Sequence, residues 1–389
     1  MSWLNALALA LLIAGHCELL VTAVNRLHAL RWPSPLLKAV RHLHDVLMLA
    51  GPPLIVWCVG LSGPKLLLGG SWQELSFPWI VYFSLCAAGA FGLTVAAVQH
   101  AMRRAPGALE SHHSQEVHVA ERLGYKPFGR GPYQALARLP GNELFRVEIS
   151  QKTLRLPRLP AEWDGLAILH LSDLHFIGTL DLPFFEEITR ISAGQNADLV
   201  VFTGDLLDNQ ELVEWLPATL GHLSAPLGCH FILGNHDWYL EPEPIRQALI
   251  ELGWHDTADS LKALSHRGRT LAIGGSELPW MGRHPEFSGA PADAFRLLLS
   301  HTPDNLPWAV AEGIDLMLSG HNHGGQVVLP LLGPVYSPSV YGCRYASGLF
   351  WQSPTLLHVS RGVSGRHPFR WRCKPEVTKL ILRSANAGS

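Results

Sequence analysis

The chain has 389 residues and a formal net charge of −2, with 48% hydrophobic and 16% charged residues. Its near-neutral charge gives no basic footprint, so nothing in the composition indicates nucleic-acid binding. Soluble domains average about 25% charged residues, and the lower fraction here predicts that part of the chain lies in lipid. The six cysteines form no C-x-x-C pair, which argues against a disulfide framework or a zinc-thiolate site.

Three apolar stretches in the first hundred residues predict transmembrane helices. A bilayer-spanning helix needs about 20 mostly apolar residues, and the stretches cover about 4–24, 46–61 and 77–98. His16 and Glu18 lie within the first stretch. They could contact an ion or a substrate inside the membrane, or form hydrogen bonds within the helix bundle, and we favour the bundle. Residues 1–104 are therefore predicted to form a membrane region.

The distribution of basic residues predicts the orientation of this region. Arg26, Arg31, Lys38 and Arg41 follow the first stretch, whereas the loop after the second stretch contains only Lys65. The positive-inside bias then places the first loop, and everything after residue 104, in the cytoplasm and the N-terminus outside. We expect a multi-pass protein of the inner (plasma) membrane with a cytoplasmic C-terminal domain.

Residues 105–144 are predicted to be a juxtamembrane connector, because glycine and proline are scattered through them. The segment also carries His112, His113 and His118. A metal-binding tract is one interpretation of these histidines, and a solvated linker is the one we favour.

From about residue 145 to 384, short apolar runs alternate with amphipathic patterns, which predicts an α/β catalytic domain. The runs are near-continuous, as in strands that are covered on both faces. Helical patterns cover 184–191, 212–220 and 245–252. The predicted strands are 166–171, 199–202, 230–233, 297–299 and 316–318.

Each predicted strand is followed closely by side chains that bind metals. The blocks are Ser172-Asp173-Leu174-His175, Gly204-Asp205-Leu206-Leu207-Asp208, Gly234-Asn235-His236-Asp237, Ser300-His301 and Gly320-His321-Asn322-His323. Residues two apart in extended backbone point the same way, so Asp173 and His175 can face one ion. The blocks together offer ligands for two adjacent ions, an arrangement that lowers the pKa of a bridging water and clamps a phosphate.

These motifs resemble the calcineurin-like metallophosphoesterase superfamily, over about Phe145 to Leu382. The longer run Gly320-His321-Asn322-His323-Gly324-Gly325-Gln326 and the later Val359-Ser360-Arg361-Gly362 are similar to its membrane-associated bacterial branch. The resemblance implies an α/β fold: a two-sheet sandwich flanked by helices, here preceded by the transmembrane region.

The resemblance also implies a role for each motif residue. Asp173, His175 and His323 would hold one ion, and Asn235, His301 and His321 the other, with Asp205 bridging the two. His236 would act beside the leaving group as a catalytic, non-ligand histidine, oriented by the Asp208 carboxylate. Asp237 is interpreted as a structural residue, and for Arg361 a substrate-phosphate contact and a structural salt bridge are equally open.

The expected activity is hydrolysis of a phosphate ester or pyrophosphate by in-line attack of a hydroxide that bridges the ions. Mixed oxygen and imidazole ligands favour Mn, Fe or Zn over Mg or Ca. A phosphorylated small molecule or a lipid-linked compound is the expected substrate, the latter by analogy with lipid-A pathway pyrophosphatases of the superfamily. The bilayer is the other expected partner, and the oligomeric state is left open.

The alternative function is that of a membrane module that binds metal without turnover. A transport or sensing role for the helices has little support.

Overall fold

The structure is a computed structural model that describes residues 3–385. The chain forms two compact units. The first unit contains the chain up to Arg103 together with the segment Leu329–Arg344, and the second contains the remainder.

The first unit contains three helices that are long and apolar enough to cross a membrane. They are α1 (Trp3–His28), α2 (Ser34–Ile55), which continues as a π-helix over Val56–Ser62, and α3 (Phe77–Met102). The second helix starts at Ser34, well before the predicted start at residue 46. The first turns of this helix contain Lys38 and Arg41 and are polar. A prediction from hydropathy therefore starts the helix too late, at the first apolar turn.

His16 joins the three helices of this unit. Its Nδ1 lies 2.5 Å from the Tyr82 hydroxyl of α3, and its Nε2 lies 3.2 Å from the Leu47 carbonyl oxygen of α2. Glu18 accepts a hydrogen bond of 3.0 Å from Thr22 on its own helix. Both polar residues are thus hydrogen-bonded within the bundle, as the favoured interpretation expected.

The segment Leu329–Arg344, which we call the arm, packs within the first unit. The Asn25 side chain donates to the Val335 carbonyl at 3.2 Å and accepts from the Ser337 backbone N–H at 3.0 Å. The Arg41 guanidinium lies 4.8 Å from the centre of the Tyr336 ring. These contacts place the arm beside the end of α1 and the early part of α2, where the predicted basic loop lies.

The second unit contains two mixed β-sheets. In chain order, its strands and helices are β1 (Leu109–His118), α4 (Val119–Leu123), α5 (Gln134–Ala137), β2 (Arg146–Leu156), β3 (Ala167–Leu171), α6 (Leu182–Ala193), β4 (Leu199–Thr203), β5 (Cys229–Ile232), α7 (Asn235–Trp238), α8 (Pro242–Glu251), β6 (His255–Asp256), β7 (Leu261–His266), β8 (Arg269–Ser276), β9 (Phe295–Ser300), α9 (Leu306–Ala311) and β10 (Leu316–Ser319). The second unit then continues with β13 (Gly348–Gln352), β14 (Thr355–Val359) and β15 (Glu376–Ser384); of the intervening short strands, β11 (Val328–Leu329) ends at the first residue of the arm and β12 (Gly333–Pro334) belongs to the arm.

The strand order is β1-β2-β15-β3-β4-β5-β6 in one sheet and β13-β14-β10-β9-β8-β7 in the other. The central strands have apolar residues on both faces. Leu199 and Val201 belong to the core shared with the second sheet, whereas Val200 and Phe202 belong to the core on the opposite face. This period of two explains why the sequence shows continuous apolar runs. The predicted α/β two-sheet sandwich is confirmed.

The segment 105–144 differs from the predicted connector. Residues Leu109–His118 form β1, an edge strand that pairs antiparallel with β2, and His112 contacts Ser150 across this pair at 3.0 Å. An edge strand keeps polar side chains in solvent, so its sequence looks like a linker. Similarly, the predicted helix at 212–220 is replaced by short 3-10 turns at Gln210–Trp215 and Leu220–His222.

Candidate metal centre

The predicted ligands lie at the C-terminal ends of β3, β4, β5, β9 and β10, and therefore come from both sheets. Five of these residues have a left-handed backbone with φ between 49° and 69°: Asp173, His175, Asp205, His321 and His323. Such conformations cost on the order of 1–3 kcal/mol each in non-glycine residues and cluster at functional sites. The chain thus turns sharply at five of the seven predicted ligands.

One group of side chains could hold the first ion. Asp173, His175, Asp205 and His323 each place a ligand atom within 4.8 Å of the others. His175 Nε2 lies 3.8 Å from Asp173 Oδ1 and 3.5 Å from Asp205 Oδ2. His175 Nδ1 donates to Asp208 at 2.8 Å, which leaves Nε2 as its ligand nitrogen.

A second group shares Asp205 with the first and adds His301 and His321. His301 Nε2 lies 3.2 Å from Asp205 Oδ2, 3.1 Å from His321 Nδ1 and 3.1 Å from Asn235 Oδ1. The other nitrogen of His301 donates to the Thr203 carbonyl at 2.7 Å, which directs Nε2 toward this group. The structure thus brings all seven predicted ligands together, with Asp205 in both groups.

The hydrogen-bonding state of these atoms fits a metal centre. Asp205 Oδ2 and His175 Nε2 are buried, and neither has a hydrogen-bond partner among residues 3–385. Buried polar atoms are nearly always satisfied, so two orphaned ligand atoms 3.5 Å apart require an explanation. Divalent cations bound by these oxygen and imidazole donors would satisfy them.

The carboxylates and imidazoles of the cluster shift one another's pKa values toward the charged forms. Burial alone would raise the pKa of Asp205, but His301 and His236 hold it well below its usual value. Burial would lower the pKa of His175, but Asp208 and Asp173 raise it to about 10, and Asp205 similarly raises that of His301 to about 9. Without metal, carboxylates and imidazolium groups therefore neutralise one another, and metal binding must release protons.

His236 and Asp208 form a dyad at the edge of the cluster. His236 Nδ1 donates to Asp208 Oδ1 at 2.6 Å, which leaves its Nε2 for chemistry. Asp208 is almost fully buried, and although burial opposes ionisation, His236 and His175 lower its pKa below the usual range. The same carboxylate thus orients the predicted catalytic histidine and the ligand His175.

Asp237 accepts hydrogen bonds from the backbone N–H groups of Gly234, Asp205, Leu206 and Leu207, at 2.8–3.2 Å. Burial and the neighbouring Asp205 raise its pKa to about 6. It ties the turn after β4 to the turn after β5, which agrees with the predicted structural role.

A second buried polar cluster lies on the other side of Ser172, and we call it the inner network: Lys152, His170, His358 and Glu376. Lys152 Nζ contacts Glu376 at 2.6 Å and His358 Nε2 at 3.2 Å. His358 Nδ1 lies 3.0 Å from His170 Nδ1, and His170 Nε2 lies 2.9 Å from the Thr203 hydroxyl. Sequence analysis did not single out any of these contacts.

Residues 360–375, which we call the C-terminal loop, supply further contacts that the motifs did not reveal. Backbone N–H groups of Val363 and Ser364 donate to the carbonyls of Ser172 and Asp173. Arg366 contacts Asp208 at 3.1 Å. Arg361 pairs with Glu148 and Glu376, so the structure favours the salt-bridge interpretation of this residue. Arg361 lies in a motif that the sequence analysis noted, but Arg366 belongs to no motif, so its contact with Asp208 had no detectable signal in the sequence.

The amino-acid sequence was compared with known protein families and with curated proteins. The family described as calcineurin-like phosphoesterase matches residues 166–325. The chain is 31% identical to the uncharacterized metallophosphoesterase YkuE of Bacillus subtilis, over 62% of this chain and 87% of that protein. It is 30% identical to phosphodiesterase YaeI of Escherichia coli, over 55% and 81%. It is 27% identical to the UDP-2,3-diacylglucosamine pyrophosphatase LpxG of Chlamydia muridarum, over 59% and 88%.

Proposed function

We propose that this chain, which belongs to the calcineurin-like phosphoesterase family and is a metal-dependent phosphoester hydrolase, binds two ions in its active site. We also propose that it is anchored in the membrane. Its substrate is a phosphodiester or diphosphate, carried by a small molecule or a lipid-linked compound. One observation supports the two-ion proposal. Asp205 Oδ2 lies 3.5 Å from His175 Nε2 of one ligand group and 3.2 Å from His301 Nε2 of the other, and within the described part of the chain it is buried without a hydrogen bond.

In this proposal, Asp173, His175 and His323 hold one ion, Asn235, His301 and His321 hold the other, and Asp205 contacts both. The donor set of carboxylate, amide and imidazole suits Mn, Fe or Zn. Two such ions, when bound, supply positive charge for the phosphate and lower the pKa of a water. The left-handed turns and the Asp237 cradle hold the ligands in place before any ion arrives, which favours a preorganised site.

His236 protonates the departing oxygen through Nε2. Its Nδ1 is fixed by the 2.6 Å hydrogen bond to Asp208, so the imidazole is held in one tautomer and one orientation. A general acid in this position is worth about 10² to 10⁴ in rate. Asp208 is a positioning residue, because it touches His236 and His175 and not the substrate.

Two findings support the substrate class. The relatives include a phosphodiesterase and a pyrophosphatase whose name specifies a diacylated sugar nucleotide. The three apolar helices would hold the chain at a bilayer, where amphiphilic phosphate compounds are concentrated. A lipid-linked phosphate compound is therefore the substrate that agrees both with a phosphoesterase site and with apolar helices at a bilayer.

We place the second unit, from here on the catalytic unit, in the cytoplasm. The basic loop that contains Arg26, Arg31, Lys38 and Arg41 supports this placement. The arm adds a second argument, since it packs against Asn25 and Arg41 beside this loop. A C-terminal fluorescent fusion should be bright in cells and an alkaline phosphatase fusion inactive; the reverse pattern contradicts this topology.

The central test uses the full-length protein in detergent, stripped of metal and reloaded separately with Mn²⁺, Fe²⁺ or Zn²⁺. We expect two ions per chain and hydrolysis of bis(4-nitrophenyl) phosphate with at least one of these metals. Stoichiometric binding without turnover of this ester or of a nucleoside diphosphate sugar would contradict the proposed substrate class. Binding of only one ion would contradict the proposed bridging role of Asp205.

A further inference from the structure

Three arginines of the C-terminal loop have different environments. Arg361 forms ion pairs of 3.0 and 3.1 Å with Glu148 and Glu376. Arg370 is fully buried and donates to the carbonyl oxygens of His323, Arg361 and Ser364, so it fixes the shape of the loop. Both guanidinium groups are committed to structure.

Arg366 differs from both. Its side chain is 39% exposed, and it forms an ion pair of 3.1 Å with Asp208 Oδ1. That carboxylate already accepts hydrogen bonds from His236 at 2.6 Å and from His175 at 2.8 Å. Because two imidazoles remain on Asp208, Arg366 can leave it without abandoning a buried, unpaired charge. An arginine has five N–H donors, and this contact uses one of them.

The position of Arg366 relates it to the leaving group. His236 Nδ1 and Arg366 Nη1 both contact the same oxygen, Asp208 Oδ1. Under the proposed function His236 serves the departing oxygen, so the guanidinium lies on the leaving-group side of the site. A planar fork of N–H donors beside a departing group is suited to a phosphate, which it binds in bidentate fashion.

Resting on the proposed function, we propose that Arg366 binds the departing phosphate of a diphosphate diester and so selects such substrates over simple phosphodiesters. The oxygen of a water bonds to the scissile phosphorus while the bond from that phosphorus to the bridging oxygen breaks. The bridging oxygen keeps the electron pair and leaves as part of the second phosphate, whose charge Arg366 neutralises. The products are two phosphomonoesters, and the protons of the water pass to them or to solvent.

The experiment compares Arg366→Gln with the wild-type full-length enzyme on two substrates, a nucleoside diphosphate sugar and bis(4-nitrophenyl) phosphate. Loss of a charged donor to the departing phosphate should lower kcat/KM for the diphosphate about 100-fold, whereas kcat/KM for the aryl diester should fall at least about tenfold less. Arg366→Lys should restore part of the loss, since an ammonium supplies the charge without the fork. Arg372→Gln, an exposed arginine of the same loop, is the matched control and should leave both substrates unaffected.

A binding measurement gives a readout that does not depend on turnover. Methylenediphosphonate should inhibit or bind the Arg366→Gln variant about 10- to 100-fold more weakly than wild type, whereas orthophosphate should bind both equally. Equal losses on both substrates would overturn the proposal, because they indicate that Arg366 acts only through Asp208 and His236. Unchanged diphosphonate binding, or loss of metal from the variant, would overturn it as well. An enzyme that hydrolyses neither substrate but shows this binding difference refutes the proposed function and leaves the Arg366 site intact.

Discussion

The catalytic unit buries two histidine clusters close to one strand, and they differ in how their atoms are paired. In the inner network, His170 uses both ring nitrogens, one toward His358 and one toward Thr203. In the candidate metal centre, His175 Nε2 and Asp205 Oδ2 are also buried but have no hydrogen-bond partner among residues 3–385. Both clusters contain buried histidines, and they differ in whether the buried ring nitrogens have hydrogen-bond partners.

The donors of the inner network follow one direction. The Lys152 ammonium can only donate, so His358 accepts at Nε2 and donates from Nδ1 to His170. His170 then donates from Nε2 to Thr203, whose hydroxyl donates to Ser172 at 2.9 Å. Both imidazoles are neutral in this arrangement, consistent with burial lowering the pKa of His170 to about 4 and that of His358 well below its usual value.

Removing the shared carboxylate should have the largest effect. Asp205→Ala takes a ligand from both ion positions, so we expect loss of at least one ion and no detectable hydrolysis. Metal analysis and turnover of bis(4-nitrophenyl) phosphate measure this directly. Asp293→Ala, an exposed carboxylate paired with Arg269, is the control. Wild-type turnover by Asp205→Ala would mean that its orphaned oxygen does not mark a ligand.

The next largest effect concerns His236, which we place outside the ligand set. His236→Ala should retain two ions but lose about 10² to 10⁴ in kcat, most for leaving groups of high pKa. Rates across a series of aryl and alkyl phosphodiesters measure the dependence on the leaving group. A uniform loss, or a loss of metal, would move His236 from catalysis to metal binding.

Asp208 contacts both the dyad and a ligand, so its substitution should be felt in metal affinity as well as in rate. Asp208→Asn keeps the shape but removes the charge opposite His175. Losing a partner that orients a ligand typically costs about 10- to 100-fold in metal affinity. Metal titration with a competing chelator tests this expectation. If rate falls while metal affinity stays at the wild-type value, Asp208 serves His236 alone.

The smallest effect tests the inner network. The pKa of His170 in the folded protein is about 4, below its ordinary value of 6.5. Between these two pH values the imidazole is protonated in the unfolded chain and neutral in the folded chain. Its contribution to stability is complete above pH 6.5 and is lost as pH falls toward 4, by roughly 1–3 kcal/mol. His170→Gln lacks this titration, so its melting temperature should fall less than that of wild type between pH 7.5 and 5. Turnover per bound metal should be unchanged, and a loss of metal would place His170 in the metal centre.

The sequence alone predicted the α/β fold class and a set of candidate ligands that the structure brings together, for a local reason. Each ligand follows an apolar run within a few residues, as Asp173 follows β3 and Asp205 follows β4, so strand and ligand appear together in the chain. The three long apolar helices were predicted in the same way, since length and hydropathy are local properties. The hydrolase class that the resemblance implied is confirmed by family membership.

The remaining features depended on partners that are distant in sequence. His170 and His175 are five residues apart and both are buried. His358, 188 residues after His170, is the hydrogen-bond partner of His170, whereas no residue that the structure describes hydrogen-bonds to Nε2 of His175. Edge strand β1 looked like a linker because its pairing partner β2 supplies the strand's hydrogen bonds. Arg361 and Arg366 are indistinguishable as letters, and their roles differ because Glu148 and Glu376 meet one and Asp208 meets the other. Residue types and local pattern thus determined which groups could bind metal, whereas tertiary structure decided which of them are left unpaired, because hydrogen-bond partners are set by packing across the fold.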